Sequence, residues 1–211
     1  TDEKCESSLS GLFAAGQVAA AIGDVMEDGG TGTNDALVFG DIAGKSAAEH
    51  AANKQMPEID SKQVEEEIKR VAAPLERNEG ISPLRVVRNI QGVMWNLVGI
   101  LKSQEKMENA MAELQKIRSN DLPQMATVCR SKRYNDEWLE AVEAENLLEI
   151  AVLVTRASLM RKESRGRMFM RYDYPDRDDE NWLKHILVVR SGEQTELLLI
   201  PVEFPYVKPS R

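Results

Sequence analysis

Apolar residues recur every three or four positions through the middle of the chain. This spacing predicts four amphipathic helices, and the short connections between them favour an antiparallel helical bundle. Ser82 followed by Pro83 is a typical helix start, and Asn135 is placed to cap the last of the four. The stripes occupy residues 64–75, 84–101, 107–117 and 138–154.

Methionine and tryptophan side chains fall on these stripes. Met94, Trp95, Met107 and Met111 are interpreted as core residues, because no titratable residue lies among them and such stripes usually pack a core. A cofactor pocket is the alternative interpretation of the same residues.

The first fifty residues follow a different pattern. Residues 12–15 form an unbroken apolar run between Gly11 and Gly16, which predicts a strand buried on both faces. A glycine-rich turn at residues 29–32 then opens a predicted helix with a small-residue face suited to lying on a sheet. That face comprises Gly40, Ala43, Gly44 and Ala47. Free N–H groups at such a helix start can bind a phosphate, a carboxylate or a reduced flavin ring; a tight connection without ligand is equally consistent.

Beyond Gly166 the helical period is lost. Alternating bulky residues after Gly166 predict an extended arm, and residues 181–184 predict a single helical turn. The apolar runs at residues 186–190 and 195–201 predict a hairpin. The acidic run at residues 176–180 is expected to form a surface charge network with the preceding basic residues. The chain is therefore predicted to be α+β but mainly α, in three parts: 1–56, 57–165 and 166–211.

Composition excludes several classes of function. A net charge of −8 disfavours nucleic acid and anionic membrane surfaces as partners. Cys5 and Cys129 are far apart and form no CxxC pair, and neither His50 nor His185 has a second ligand at metal spacing, so no metal site is predicted. With no apolar run near the roughly 20 residues of a membrane helix and no leader sequence, we expect neither insertion nor secretion, but a cytoplasmic protein.

Two sequence blocks carry a resemblance to a known family. GLFAAGQVA at residues 11–19, with GGTGTNDALVFGDIAGKSAAEHA at 29–51, resembles the last flavin-binding segment of fumarate reductase and succinate dehydrogenase flavoprotein subunits. RKESRG at 161–166 and YPDRDDENWLKH at 174–185 match the same family further on. The family's GxGxxG turn and substrate-capping domain would lie upstream, so the resemblance implies an incomplete FAD-binding αβ segment within a C-terminal portion that is inactive alone.

The resemblance also implies site residues. Gln17 stands where the family commonly has a Glu that hydrogen-bonds the ribityl chain of the flavin. Gly32 and Thr33 match residues whose backbone meets the pyrimidine side of the ring, and Asn34 completes the predicted cofactor-binding set. Glu27 occupies the position of an Arg that grips the substrate carboxylate in the fumarate and succinate enzymes, and a nearby substrate-binding His is absent. No catalytic residue is assigned.

The function implied is that of an FAD-dependent oxidoreductase of the fumarate reductase or succinate dehydrogenase type. Hydride would transfer at the flavin to or from a small-molecule substrate of uncertain identity. An adenylylsulfate reductase-like flavin subunit is one alternative. Another is a non-catalytic docking module whose bundle binds an iron–sulfur subunit, which would place the protein at the periphery of a membrane.

Overall fold

The computed structural model describes residues 1–19, 31–56, 58–166, 168–192 and 194–204. The chain divides into two compact units, Thr1–Ser61 and Lys62–Arg211. The described part is mainly helical with a small antiparallel hairpin near its C-terminal end, which confirms the coarse fold prediction.

The first unit contains a 3-10 turn at Gly16–Ala19 and helix α1 at Thr31–Ala52. The strand predicted at residues 12–15 is wrong. Phe13 forms only an isolated bridge with Glu6, and Leu12 is 54% exposed. Gly11 and Gly16 adopt positive φ angles of 87° and 73° and turn the chain, so the apolar run has no strand beside it among the described residues.

The small-residue face of α1 is open. No described heavy atom lies within 4 Å of the point where a Cβ would stand at Gly40 or Gly44. The predicted close packing of this face on a sheet is therefore not observed in the part of the chain that the structure describes. Instead, α1 contacts the irregular N-terminal segment, where the buried Cys5 thiol lies 3.6 Å from the carbonyl oxygen of Phe39.

The second unit is built on the four predicted helices. They are α2 at Ser61–Glu76, α3 at Pro83–Leu97, α4 at Gln104–Lys116 and α5 at Asp136–Met160. Helices α3, α4 and α5 pack on one another around one core. Its buried residues are Val86, Ile90, Leu114, Ile117, Met125, Ala141, Ala144, Leu148 and Ala151.

Helix ends follow local chemistry. The side-chain oxygen of Asn135 accepts a hydrogen bond of 3.1 Å from the N–H of Trp138, as predicted for a cap. Helix α3 begins at Pro83 as predicted but ends at Leu97, short of the predicted residue 101. At Gly99 a Cβ would stand 2.7 Å from the carbonyl oxygen of Trp95, so the chain folds back closely on the last turn.

Two side chains that were predicted to lie in the core differ in their burial. Met107 is fully buried, but Trp95 is 83% exposed, so its assignment to the core is wrong. Its helical spacing is correct, yet no described element covers that face of α3.

The remaining elements complete the second unit. Strand β1, Leu101–Lys102, pairs in parallel with β2, Met170–Arg171. After helix α6 at Asp179–Trp182, strands β3 at Lys184–Ser191 and β4 at Gln194–Pro201 form the predicted hairpin. The guanidinium of Arg156 donates to the carbonyl oxygen of Thr195 at 2.7 Å and fastens the hairpin to α5. Among the described helices, none combines the length and apolar character that crossing a membrane requires.

Candidate functional site

The predicted cofactor residues gather at the N-terminal end of α1. Gly32, Thr33 and Asn34 lie in its first turn, and Gln17 lies in the 3-10 turn. A Cβ at Gly16 would stand 3.3 Å from the Cβ of Ala36, so the 3-10 turn lies directly against α1. This contact and the positive φ both require glycine at position 16, and together they bring Gln17 to the end of the helix where the other three residues lie.

Three polar side chains at this helix end have no hydrogen-bond partner in the described part of the chain. The side chains of Gln17, Thr33 and Asn34 are exposed, and no described residue forms a hydrogen bond with any of them. The first N–H groups of a helix lack an intrahelical acceptor and carry the positive end of its dipole. The site can therefore donate hydrogen bonds to an electron-rich group, and this donor set fits the carbonyl oxygens of a flavin ring.

Asp35, which directly follows this turn in α1, was not predicted from the sequence. It is 4% exposed, and its Oδ1 atom is buried without a hydrogen-bond partner in the described chain. A buried carboxylate oxygen without a donor is costly and unusual in a folded protein. The available signal was an acidic residue placed directly after a predicted capping residue and before an apolar run.

Three sequence predictions fall on residues that the structure does not describe. Glu27, Gly29 and Gly30 lie outside the described ranges. Their assigned roles at the substrate carboxylate and in the glycine turn stay predictions.

A second constellation lies in the RKESRG segment of the other unit, centred on Glu163. This carboxylate is fully buried. Its Oε1 lies 2.5 Å from Arg161 Nη1 and 2.7 Å from Arg165 Nε, while its Oε2 lies 2.9 Å from Arg165 Nη2. The N–H of Asp178 donates to Oε2 at 3.0 Å. The predicted network between the acidic run and the preceding basic residues is present at Asp179, whose Oδ1 lies 2.7 Å from Arg165 Nη2. The buried Glu163, which that prediction did not include, binds the same arginine.

The charge state of Glu163 follows from these partners. Burial by itself raises the pKa of the carboxyl group, but the hydrogen bonds from Arg165, from the Asp178 N–H and from Arg161 outweigh it, so the pKa is lowered. Glu163 is therefore an ionised, fully bonded carboxylate rather than a proton donor.

Arg171 is the second buried member of this region. Its Nε and Nη2 donate to Asp173 at 2.7 and 2.5 Å, and its Nη1 donates to the carbonyl oxygens of Ser158 and Arg161 at 2.9 and 2.8 Å. We call Arg161, Glu163, Arg165, Arg171 and Asp173 the arm cluster. Each of its five side chains is ion-paired within the cluster, and Asp173 also accepts a hydrogen bond from the N–H of Gln104 at 3.0 Å. The arm cluster holds the arm against the bundle. Because each of its side chains is already bonded to a described residue, none is available for catalysis.

The histidines take structural positions. His50 Nδ1 lies 3.6 Å from Glu6 Oε1, and its ring packs edge-on against Phe13 with centroids 5.9 Å apart. His185 lies in β3. Within the described ranges, no group of three or more His, Cys, Asp or Glu side chains is arranged to hold a metal ion.

Comparison with known proteins extends this description. A family model described as the C-terminal part of the fumarate reductase flavoprotein matches residues 87–211. The chain is 35% identical over 196 residues to a subunit of the fumarate reductase (CoM/CoB) of Methanothermobacter marburgensis, covering 91% of this chain and 34% of that protein. It is 32% identical over 210 residues to a Helicobacter pylori fumarate reductase flavoprotein subunit, covering 96% of this chain and 29% of that protein.

The structural comparison agrees. An E. coli quinol fumarate reductase structure matches with a TM-score of 0.86 at 26% identity, covering 100% of this chain and 37% of that one. The chain spans about a third of the length of the relatives it matches. The resemblance in the two sequence blocks is thus confirmed, and the chain belongs to the family of fumarate reductase flavoprotein C-terminal regions.

Proposed function

We propose that the chain is the C-terminal portion of an FAD-dependent oxidoreductase of the fumarate reductase or succinate dehydrogenase type. The observation that carries this proposal is the structural match to a quinol fumarate reductase, which covers the whole chain with a TM-score of 0.86. A match of this extent includes both the helix that presents the candidate cofactor residues and the helical bundle. The substrate is a small molecule, and the relatives named fumarate reductase make a dicarboxylate the first candidate to assay.

In this proposal the first unit holds one end of the FAD. When bound, FAD supplies the group that accepts or donates hydride. The first-turn N–H groups at Gly32 and Thr33 donate to the pyrimidine side of the ring, where the helix dipole favours negative charge. The amide of Gln17 hydrogen-bonds a ribityl hydroxyl without adding a charge. Both roles use groups that the described chain leaves unengaged.

The test uses the complete flavoprotein. We expect the purified protein to be yellow, to retain FAD, and to exchange electrons between a reduced dye and a dicarboxylate. Gln17→Leu should weaken FAD binding, because it removes a hydrogen bond at the 3-10 turn. Gln115→Leu, an exposed glutamine on α4 in the other unit, is the matched control and should leave FAD binding unchanged. A colourless protein that takes up no FAD would refute the proposal.

The 211-residue chain alone should behave differently. It contains no GxGxxG turn to hold the pyrophosphate of FAD. After incubation with FAD and desalting, we expect no stoichiometric flavin absorbance. Stoichiometric retention would show that the described residues suffice for binding.

An apolar groove supports a docking role alongside catalysis. It encloses about 720 Å³ on the exposed side of α3 and is lined by Gln91, Gly92, Met94, Trp95, Val98 and Gly99. Exposed tryptophans are frequent anchors of protein interfaces. We propose that the partner is an iron–sulfur subunit. Trp95→Ala should weaken its co-purification with the flavoprotein while the flavin content stays the same. Loss of the flavin together with the partner would instead indicate misfolding.

A further inference from the structure

The unpartnered oxygen of Asp35 lies at a helix end that otherwise offers donors. Asp35 is the fifth residue of α1, a helix of 22 residues, directly after its first turn, and is 4% exposed. Among the described residues it is the one side chain that buries a polar atom without a hydrogen bond. An ionised carboxylate can only accept hydrogen bonds, so its missing partner is an N–H or O–H donor.

Flavin chemistry supplies a donor at the matching place. The pyrimidine edge of the isoalloxazine ring presents an acceptor, a donor and an acceptor in order: a carbonyl oxygen, the imide N–H and a second carbonyl oxygen. Free N–H groups of a helix start can satisfy the two carbonyl oxygens but not the imide N–H. A site that recognises the full edge therefore needs one acceptor beside the helix donors.

We infer that Asp35 is that acceptor and positions the flavin by accepting a hydrogen bond from its imide N–H. The inference rests on the proposed function, because it takes FAD as the ligand of this helix end. Asp35 directly follows Gly32–Asn34 in α1 and precedes Ala36, which contacts the 3-10 turn carrying Gln17, so it is next in the chain to both groups of predicted flavin contacts. The role assigned is positioning, since Asp35 need not exchange a proton with the substrate.

The experiment compares the complete flavoprotein with and without FAD, the flavin-free form being made in riboflavin-limited cells. Asp35→Ala should lower the melting temperature of the FAD-loaded protein but leave that of the flavin-free protein unchanged or raise it, because there the oxygen has no partner to lose. The Kd for FAD should rise about 10-fold or more, the usual effect of losing a hydrogen bond to a charged group. Asp41→Ala is the control, since Asp41 lies on the same helix in an exposed pair with Lys45.

A second measurement does not depend on preparing the flavin-free form. In protein loaded with ¹⁵N-labelled FAD, the imide proton of wild type should resonate downfield of that in Asp35→Asn, because the hydrogen bond to a carboxylate is the stronger of the two. Equal loss of melting temperature in both forms, or an unmoved imide resonance, would assign the missing donor to the protein and overturn the inference. Absence of FAD from the wild type would instead refute the proposed function itself.

Discussion

Replacing Glu163 by Gln is the sharpest test of the arm cluster. The carboxylate accepts four hydrogen bonds, two at each oxygen, and three come from guanidinium groups. An amide has one oxygen, so its NH₂ group must face two of the four donors. Removing one partner of a buried ion pair costs about 3–5 kcal/mol, because the remaining charges stay buried without compensation. For a unit of this size, that loss corresponds to a melting temperature lower by about 6–20 °C.

Urea unfolding followed by tryptophan fluorescence measures this change in the second unit specifically. All three tryptophans, Trp95, Trp138 and Trp182, lie within it. Glu149→Gln is the matched control: its carboxylate lies 2.6 Å from Arg118 with the two side chains 49% and 41% exposed, so we expect a loss below about 1 kcal/mol. If Glu163→Gln costs no more than this control, the arm cluster does not stabilise the fold.

Three further predictions concern acid stability, backbone contact and substrate. The hydrogen bonds from Arg171 lower the pKa of Asp173 to about 2 from an ordinary 3.8. The ionised Asp173 therefore contributes fully to the free energy of unfolding above pH 4, and this contribution is lost as the pH falls through about 2. In acid titrations, the stabilities of wild type and Asp173→Asn should become equal at that pH. Gly80→Ala should lower the urea midpoint, since the new Cβ would overlap the backbone oxygen of Gln124. Gly92→Ala should raise it, because a Cβ there has no described atom within 4 Å and alanine favours the helix α3 over glycine. Glu27→Arg in the complete protein should raise steady-state turnover of fumarate or succinate about tenfold or more, because it replaces a like-charge contact by an attractive one; a fall in turnover would contradict the assigned position of Glu27.

The elements that the sequence predicted correctly are those whose apolar residues recur at a regular spacing along the chain. Helices α2 to α5 follow from apolar stripes, and the hairpin follows from two β-branched runs around Gly192. The end of α3 did not follow, because it depends on a close approach at Gly99 and on strand pairing with Met170. The apolar run at residues 12–15 fits a strand only if neighbouring strands exist, and a single sequence segment does not reveal them.

The candidate site likewise contains residues that were predicted from the sequence and residues that were found only in the structure. Resemblance predicted Gln17, Gly32, Thr33 and Asn34; the last three are consecutive in α1, whereas Gln17 lies in the 3-10 turn. Burial of Glu163 and the orphaned oxygen of Asp35 depend on packing in three dimensions, which charge patterns along the chain do not encode. Charged residues on a helix or arm are usually solvated. Glu163 is an exception, because three guanidinium N–H groups and one backbone N–H bind it inside the protein.

The pairing of β1 with β2 has a consequence for the order of events during synthesis. The N–H of Gln104 and the carboxylate of Asp173 are 69 residues apart in the chain, and the short parallel pairing beside them joins the same two regions. When α3 and α4 have left the ribosome, the partner strand has not yet been translated. In the finished protein Lys102 is buried, with its ammonium 4.9 Å from the ring centre of Phe169. Before Phe169 is translated, this ammonium is exposed to water. The corner between α3 and α4 therefore closes only after the arm emerges, and a nascent chain stalled before residue 169 presents an incomplete bundle to chaperones and proteases.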